Sequence, residues 1–209
     1  MIEYVSGSVL PQLGIPAAVA SATEFGAYVN SSSYKARGLE TSAEAALGPM
    51  VRVAASYTNL HAVVTKSFAT SALAPAINPA FPDIPIGGYG PLVGASPFRR
   101  PANTGSLLVT FAKGPAQMSV AGYFAGKADD STFLSDGFFG SSLLLPNHNL
   151  DAAYQKVDLS ASYRIHPRLR GYLSVENIAG QRYEAVFGFP ALPRSARVGL
   201  TVMLGGDRP

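Results

Sequence analysis

Apolar and polar residues alternate with a period of two along several segments of this sequence. The clearest example is 156–164, where Val157, Leu159, Ala161 and Tyr163 are separated by polar or charged residues. Such alternation is typical of a β-strand with one apolar and one polar face. The pattern recurs elsewhere, and a shorter segment opens the chain. Together these segments predict about eight strands, at 2–5, 39–47, 51–58, 107–111, 117–124, 156–164, 169–176 and 195–204.

The connections between these strands alternate between two lengths. Short turns are predicted at 48–49, 113–115 and 165–168, and long connections at 6–25, 65–103, 128–153 and 179–193. Long connections without periodicity are uncommon in compact soluble domains. Outer-membrane β-barrels combine tight periplasmic turns, long extracellular loops and strands that face lipid and lumen alternately. The pattern therefore predicts an all-β fold, part of an antiparallel transmembrane β-barrel, with both ends of the chain on the periplasmic side.

Composition agrees with a lipid-facing protein. Hydrophobic residues make up 47% of the chain and charged residues only 14%, against about 25% charged residues in a soluble domain. No segment reaches the roughly 20 apolar residues of a membrane-spanning helix. Shifting the register of 156–164 by one residue would turn Asp158 and two cations toward lipid, at up to roughly 2–4 kcal/mol per cation near the midplane. A soluble β-sandwich stays open as the alternative, although its strands are usually shorter and its loops less regularly sorted.

Charge and cysteine content exclude several partners. The net charge is only +3, and Arg99-Arg100 is the one adjacent basic pair. Without a basic stripe interleaved with aromatic residues, we expect no nucleic-acid binding. The absence of cysteine excludes disulfides and cysteine-ligated metals.

The sequence offers no candidate for catalysis or for a cofactor. His61, His148 and His166 are far apart and fit no metal-ligand motif. The pair Asp129-Asp130 lacks the spacing of a calcium-binding loop. Ser141-Ser142 does not lie in a Gly-x-Ser-x-Gly elbow. We therefore predict that the chain is not an enzyme and holds no metal or cofactor.

Seven short motifs follow one another along the chain. They are Y-V-N at 28–30, Y-K-A-R-G-L-E at 34–40, R-P at 100–101, Y-Q-K-V-D-L at 154–159, V-E-N-I at 175–178, R-Y-E at 182–184 and F-G-F at 187–189. This ordered set resembles the TonB-dependent outer-membrane receptors. The resemblance implies a 22-stranded barrel that is plugged by an N-terminal domain and imports scarce ligands such as siderophores, cobalamin or oligosaccharides. It also implies a place in the outer membrane of a Gram-negative bacterium.

The resemblance covers only the final third of such a barrel. We therefore interpret 1–209 as one C-terminal barrel segment, without the signal peptide, TonB-contacting box or plug of a full receptor. The expected partners are outer-membrane lipid, the missing plug and the remaining strands, with the TonB complex reached only through the absent N-terminal region. The terminal aromatic residue of the family is also missing. Two alternatives stay open: a self-contained eight-stranded barrel with a structural or small-solute role, and a truncated gene product without activity.

The long loops carry the candidate binding residues. They contain prolines, which reduce loop entropy, and aromatic residues, which offer contact area at modest ordering cost. The loop candidates for ligand binding are Tyr89, Phe98, Phe138, Phe139, Tyr183 and Phe187. The competing interpretation is that these side chains pack loop against loop or belong to the aromatic girdle at the membrane interface.

Overall fold

The computed structural model describes residues 2–5, 7–8, 10–22, 27–30, 33–67, 91, 93–131 and 147–204. Most of these residues lie in antiparallel β-strands. Within this part of the chain, no helix is both long and apolar enough to cross a bilayer.

Eleven strands and two short helical segments make up the described chain. The strands are β1 (Ile2–Val5), β2 (Ala27–Asn30), β3 (Ser33–Leu47), β4 (Val51–Lys66), β5 (Asn103–Lys113), β6 (Ala116–Ala125), β7 (Tyr154–His166), β8 (Leu169–Glu176), β9 (Glu184–Val186), β10 (Phe189–Pro190) and β11 (Ser195–Val202). The helical segments are a 3₁₀ turn at Leu10–Leu13 and α1 at Ala17–Ala22.

Seven strands form one antiparallel sheet in the order β11-β8-β7-β6-β5-β4-β3. Each strand pairs with the next strand of this sheet along the chain, so the sheet is a meander. It is open, and β3 and β11 are its two edges. The predicted strands and their antiparallel arrangement are confirmed, and β3 and β4 are longer than predicted.

The alternation of short and long connections is also confirmed. Tight turns join β3 to β4, β5 to β6 and β7 to β8. Three long loops join the remaining neighbours: the first loop spans 67–102, the second 126–153 and the third 177–194. Because the strands are antiparallel, all three long loops leave the same end of the sheet, which we call the loop end.

One face of the sheet is apolar across all seven strands. Residues that pair across strands lie on the same face, and one row runs through Ala45, Val53, Val109, Val120, Leu159, Val175 and Ala196. Leu107, Met118, Leu173, Val198 and Leu200 extend this face and are all exposed. A soluble sandwich would bury such a face beneath a second sheet. Among the described strands no second sheet covers it, so the sandwich alternative is disfavoured.

The opposite face carries the polar and charged partners of the same strands. Thr110 Oγ1 and Ser119 Oγ lie 3.2 Å apart, and Ser56 Oγ and Ser106 Oγ lie 2.7 Å apart. Arg197 Nη2 donates to Glu176 Oε1 at 2.8 Å. The predicted two-faced register of the strands is therefore the observed one.

Gly199 on the polar face is explained by its cross-strand neighbour. It pairs with Tyr172 of β8, whose side chain lies over it. A Cβ at Gly199 would stand 2.5 Å from Tyr172 Oη. A side chain at Gly199 would therefore displace the exposed Tyr172 ring from its present position.

The chain before β3 differs from the prediction in its pairing. Strand β1 exists where it was predicted, but it pairs with β2 in a separate two-stranded sheet rather than joining the seven-stranded one. The long connection predicted at 6–25 contains the 3₁₀ turn and α1. Leu10 and Ala20 bury each other there, with Ile15 and Ala27 packed against them. This local contact depends on three-dimensional packing, which a period-two pattern does not report.

Candidate ligand-binding surface at the loop end

The three long loops are joined at the loop end by one buried carboxylate, that of Asp130. Its side chain is fully buried, and Arg99 Nε of the first loop donates to its Oδ1 at 2.9 Å. Ser131 N donates to the same oxygen at 2.6 Å. Phe187 N of the third loop donates to Oδ2 at 3.0 Å. One aspartate therefore accepts hydrogen bonds from all three loops.

Asp129 connects the two described ends of the second loop and also contacts the first loop. Its backbone oxygen accepts a hydrogen bond from Arg99 N at 2.7 Å. Its Oδ1 accepts one from Asn149 N at 2.8 Å and lies 2.9 Å from His148 Nδ1. Arg99 and Asn149 have positive φ values of 58° and 54°. These left-handed conformations cost energy in non-glycine residues, and the contacts with Asp129 offset that cost.

The third aspartate of this region, Asp151, has no such partners. It pairs with Ala128 through the backbone, which closes the two described ends of the second loop. Its side chain is buried, and neither carboxyl oxygen has a hydrogen-bond partner among the described groups. Burial, followed by the negative charge of the neighbouring Asp130, raises the pKa of Asp151 to about 7. We call Asp129, Asp130 and Asp151 the aspartate cluster.

Two of the sequence motifs meet at the start of the third loop. Asn177 is buried with φ 51°, and its backbone N donates to Asp158 Oδ1 at 2.8 Å. Its side chain bonds both the backbone N and the backbone O of Gln181, at 3.1 and 2.9 Å. Gln181 Oε1 in turn accepts from Gln155 N at 2.9 Å. The motif residues Asp158 and Asn177 thus fix the path of the third loop.

Two stacked tyrosines and a third, tilted one lie together on the polar face near the loop end, and we call the three the tyrosine stack. The rings of Tyr154 and Tyr183 are nearly parallel, with centroids 4.3 Å apart and an interplanar angle of 8°. Tyr123 of β6 lies 6.0 Å from Tyr154 at 46°. Beside this tyrosine stack the third loop encloses an open pocket of about 490 Å³, lined by Gly180, Gln181, Arg182, Tyr183, Pro190, Ala191, Pro193 and Arg194.

The predicted candidates divide into two groups. Tyr89, Phe138 and Phe139 lie outside the described residues. Phe98, Tyr183 and Phe187 are half-buried at the loop end. Tyr183 belongs to the tyrosine stack and Phe187 contributes its backbone N to Asp130. Among the described aromatic residues, no ring contact joins Phe98 to Phe187, and the described contacts of Asp130 with the first and third loops are polar.

Sequence reasoning did not identify the residues that join the loops. Arg99 was noted only as half of a basic pair and Asp130 only as half of an acidic pair, while Asp151 carried no signal. A buried contact between residues 31 or 57 positions apart leaves no periodic trace. Within the described part of the chain, no three His, Cys, Asp or Glu residues are grouped so as to hold a metal ion.

Comparison with known proteins identifies the fold. The sequence matches no protein-family model and no curated protein. The siderophore receptor PiuA of Acinetobacter baumannii superposes with a TM-score of 0.59 at 16% identity, over 85% of this chain and 23% of PiuA. The ferric-catecholate import receptor Fiu of E. coli K12, in its closed form, gives 0.55 at 18% identity, over 85% and 22%. The fold is that of a segment of a siderophore-receptor barrel.

A third receptor barrel gives the same result. The ferripyoverdine receptor of the outer membrane of Pseudomonas aeruginosa matches with a TM-score of 0.51 at 18% identity, over 87% of this chain and 21% of the receptor. The chain therefore spans less than a quarter of the length of these solved receptors. The likeness is one of fold, and it confirms the predicted segment of an antiparallel outer-membrane β-barrel.

Proposed function

We propose that this chain is the C-terminal part of the barrel of a TonB-dependent receptor, which imports an iron–siderophore complex across the outer membrane of a Gram-negative bacterium. The observation that carries the proposal is the open seven-stranded sheet with one continuous apolar face. An open sheet in lipid leaves backbone groups unpaired at both edges, at several kcal/mol for each group. Further strands are needed to pair β3 and β11.

The partners follow from this arrangement. Lipid covers the apolar face, the remaining barrel strands pair with the two edges, and a plug fills the lumen against the polar face. The TonB complex acts through the plug-bearing N-terminal region. The siderophore class is proposed because PiuA and Fiu, which share the fold, are siderophore or ferric-catecholate receptors.

The pocket of the third loop is the proposed contact with the ligand. Tyr183 offers a ring already held by Tyr154, so little entropy is lost when a flat ligand group stacks against it. Arg182 and Arg194 line the same pocket, and neither forms an ion pair with a described carboxylate. An iron–siderophore complex with negatively charged oxygens fits a pocket that combines a ring with two guanidinium groups.

Fractionation of the full-length gene product tests the membrane assignment. We expect recovery in the outer-membrane fraction, and recovery in the soluble cytoplasmic fraction would contradict the proposal.

Uptake of radioactive iron supplied as ferric-catecholate or ferripyoverdine complexes tests the ligand class. Uptake in cells that carry Arg194→Ala should fall, whereas Arg170→Ala on β8, far from the pocket, should leave it unchanged.

The self-contained eight-stranded barrel is the competing function. It requires β3 and β11, or β1 and β11, to pair, and the described sheet shows neither pairing. The 209-residue chain folded alone in detergent should therefore lack the heat-modifiable migration of a closed barrel. A closed, heat-modifiable species would favour the self-contained barrel instead.

A further inference from the structure

The apolar face of the sheet changes in character toward the loop end of β3 and β4. Up to Leu39 on β3 and Tyr57 on β4, its side chains are mostly apolar. Beyond them the same face carries Arg37 directly opposite His61, with Lys35 one step further along β3. All three of these side chains are exposed. We call Lys35, Arg37 and His61 the basic row, and it points to the same side of the sheet as the apolar face.

Acidic side chains are excluded from this side of the sheet. Within the seven described strands, every acidic residue lies on the polar face, at Glu40, Glu44, Asp158 and Glu176. Two of the four form ion pairs there, with Lys156 and Arg197. No described carboxylate lies within ion-pair distance of Lys35 or Arg37. The positive charge of the basic row is therefore uncompensated among the described residues.

Strand geometry places the basic row at the boundary of the bilayer. Arg37 lies ten residues before Leu47, the last residue of β3 at its tight turn. Ten residues span about 34 Å along a strand at roughly 3.4 Å per residue. With the usual barrel tilt of about 35–45°, this length corresponds to a height of about 24–28 Å, and the apolar band of such barrels is roughly 25 Å tall. If Leu47 lies at one boundary of the band, Arg37 lies at the other.

The hydrogen bonds just inside the basic row support this boundary. Tyr57 has its ring on the apolar face, where it stacks with Phe124, and its Oη donates to Asn103 Oδ1 at 2.6 Å. Asn59 Nδ2 donates to the same oxygen at 2.8 Å. A tyrosine at a membrane interface keeps its ring in the apolar region and its hydroxyl toward polar groups. The apolar region therefore ends between Tyr57 and the basic row.

The spacing of the basic row suits a phosphate group. Arg37 and Lys35 follow each other on one face at about 7 Å along the strand, and the Cβ atoms of a directly opposed pair such as Arg37 and His61 are about 4.5–5.5 Å apart. A guanidinium group binds phosphate through two parallel hydrogen bonds, and an ammonium group binds it as a point charge. A lipid with a phosphorylated headgroup gains twice, because its acyl chains meet the apolar face directly below the row.

We propose that the basic row binds the phosphate groups of an anionic glycolipid of the outer leaflet, of the lipid A class, whose acyl chains lie along the apolar face. The inference rests on the proposed function, because it needs the apolar face in lipid and the loop end on the outside of the cell. Arg37 and Lys35 hold the phosphate, and His61 adds a ring N–H. The contact attaches this part of the barrel to the outer leaflet.

Binding of lipid A to the purified full-length protein tests the proposal. The protein is titrated in detergent with bisphosphorylated lipid A, and native mass spectrometry measures the bound fraction. Each cation near an anionic lipid surface contributes roughly fivefold in affinity, so the double variant Lys35→Ser, Arg37→Ser should bind roughly 25-fold more weakly. Lys113→Ser is the matched control, since Lys113 lies on the same side of the sheet at the turn end of β5. Equal affinity of the double variant and the wild type, or an equal loss in Lys113→Ser, would overturn the proposal.

A second set of lipids tests the phosphate without any substitution. Lipid A from which both phosphates have been removed should bind the wild type roughly 25-fold more weakly, by the same contribution of two cations. Equal binding of the two lipids would overturn the proposal. If inorganic phosphate at the same concentration displaces lipid A, the row is a site for a free anion and the proposal is wrong.

Failure of this inference is distinguishable from failure of the proposed function. A protein that is recovered in the outer membrane, but whose affinity for lipid A does not depend on the basic row, contradicts this inference alone. Recovery in the soluble cytoplasmic fraction contradicts the proposed function and this inference with it.

Discussion

Across the seven-stranded sheet, stability comes from repeated backbone pairing, whereas at the loop end it comes from a few buried polar side chains. In most pairs of neighbouring strands, the register is unbroken over eight or more residues. The loop end instead depends on single groups such as the carboxylate of Asp130 and the side chain of Asn177. The three described non-glycine residues with positive φ, Arg99, Asn149 and Asn177, all lie at the loop end.

This difference determines how a substitution acts in each region. In the sheet, the effect of a change depends on which face the residue occupies, because one face meets lipid and the other the lumen. At the loop end, the effect depends on which hydrogen bonds the residue makes. Substitutions at neighbouring positions in the sheet can therefore differ greatly in their effect on stability. Substitutions at distant positions in the loops can have the same effect when those residues share hydrogen bonds.

The largest expected effect comes from placing a charge on the apolar face. Leu159→Arg on β7 should destabilise the folded barrel by roughly 2–4 kcal/mol if the side chain lies near the bilayer midplane. Ser160→Arg is the matched control, since the next residue faces the lumen and should tolerate arginine. Urea unfolding of both variants in lipid vesicles measures the difference. Equal destabilisation by the two substitutions would contradict the assignment of the faces.

Removal of the acceptor at the centre of the loop end should have the next largest effect. Asp130→Ala leaves Phe187 N and Ser131 N without their partner, and an unsatisfied buried donor costs roughly 1–3 kcal/mol. We expect faster proteolysis in the second and third loops. The rate of cleavage of the protein is measured after protease is added to intact outer-membrane vesicles. The strands should stay protected. Proteolysis indistinguishable from wild type would show that Asp130 does not hold the loops together.

A smaller effect on stability is expected at Asn177, where two substitutions distinguish the cost of its backbone conformation from the loss of its side-chain hydrogen bonds. Asn177→Gly and Asn177→Ala both lose the hydrogen bonds with Gln181, but only alanine pays the cost of the left-handed conformation. The alanine variant should therefore be less stable than the glycine variant by roughly 1–2 kcal/mol. Thermal unfolding of the pair measures this. Equal stability of the two variants would argue that the backbone at residue 177 is unstrained.

The smallest expected effect concerns the tyrosine stack. A double-mutant cycle with Tyr154→Leu and Tyr183→Leu should give a coupling energy of about 0.5–1.5 kcal/mol, the usual value for an aromatic pair. The parallel cycle with Tyr57→Leu and Tyr183→Leu serves as control, because Tyr57 stacks with Phe124 and not with Tyr183. No coupling in the first cycle would mean that Tyr183 is held by the rest of the third loop.

The sheet could be predicted from sequence because its periodicity is local. Val157, Leu159 and Ala161 alternate with polar residues, so strand, face and register all follow from one short segment. The alternation of short turns and long loops is typical of a meander, in which consecutive strands are neighbours in the sheet. Strand β1 was predicted as well, but its pairing with β2 was not, since four residues do not specify a partner.

The loop end could be predicted only in part. The motifs at Asp158 and Asn177 were recognised, although their contact with each other was not. Tyr183 and Phe187 were chosen for their rings, yet Phe187 contributes a backbone N–H to Asp130. Asp130 contacts Arg99 and Phe187, which are 31 and 57 positions away, and its burial is encoded by no local pattern.

Cysteine scanning along β7 tests the central claim, that this sheet is a barrel segment with its apolar face in lipid. Residues 1–209 contain no cysteine, so single cysteines at 156–161 can be probed in outer-membrane vesicles that carry the full-length protein, once any cysteine elsewhere in it has been replaced by serine. Water-soluble maleimide should label Lys156→Cys, Asp158→Cys and Ser160→Cys, while Val157→Cys, Leu159→Cys and Ala161→Cys resist labelling until detergent is added. Uniform labelling, or an alternation that detergent does not change, would contradict a lipid-facing surface.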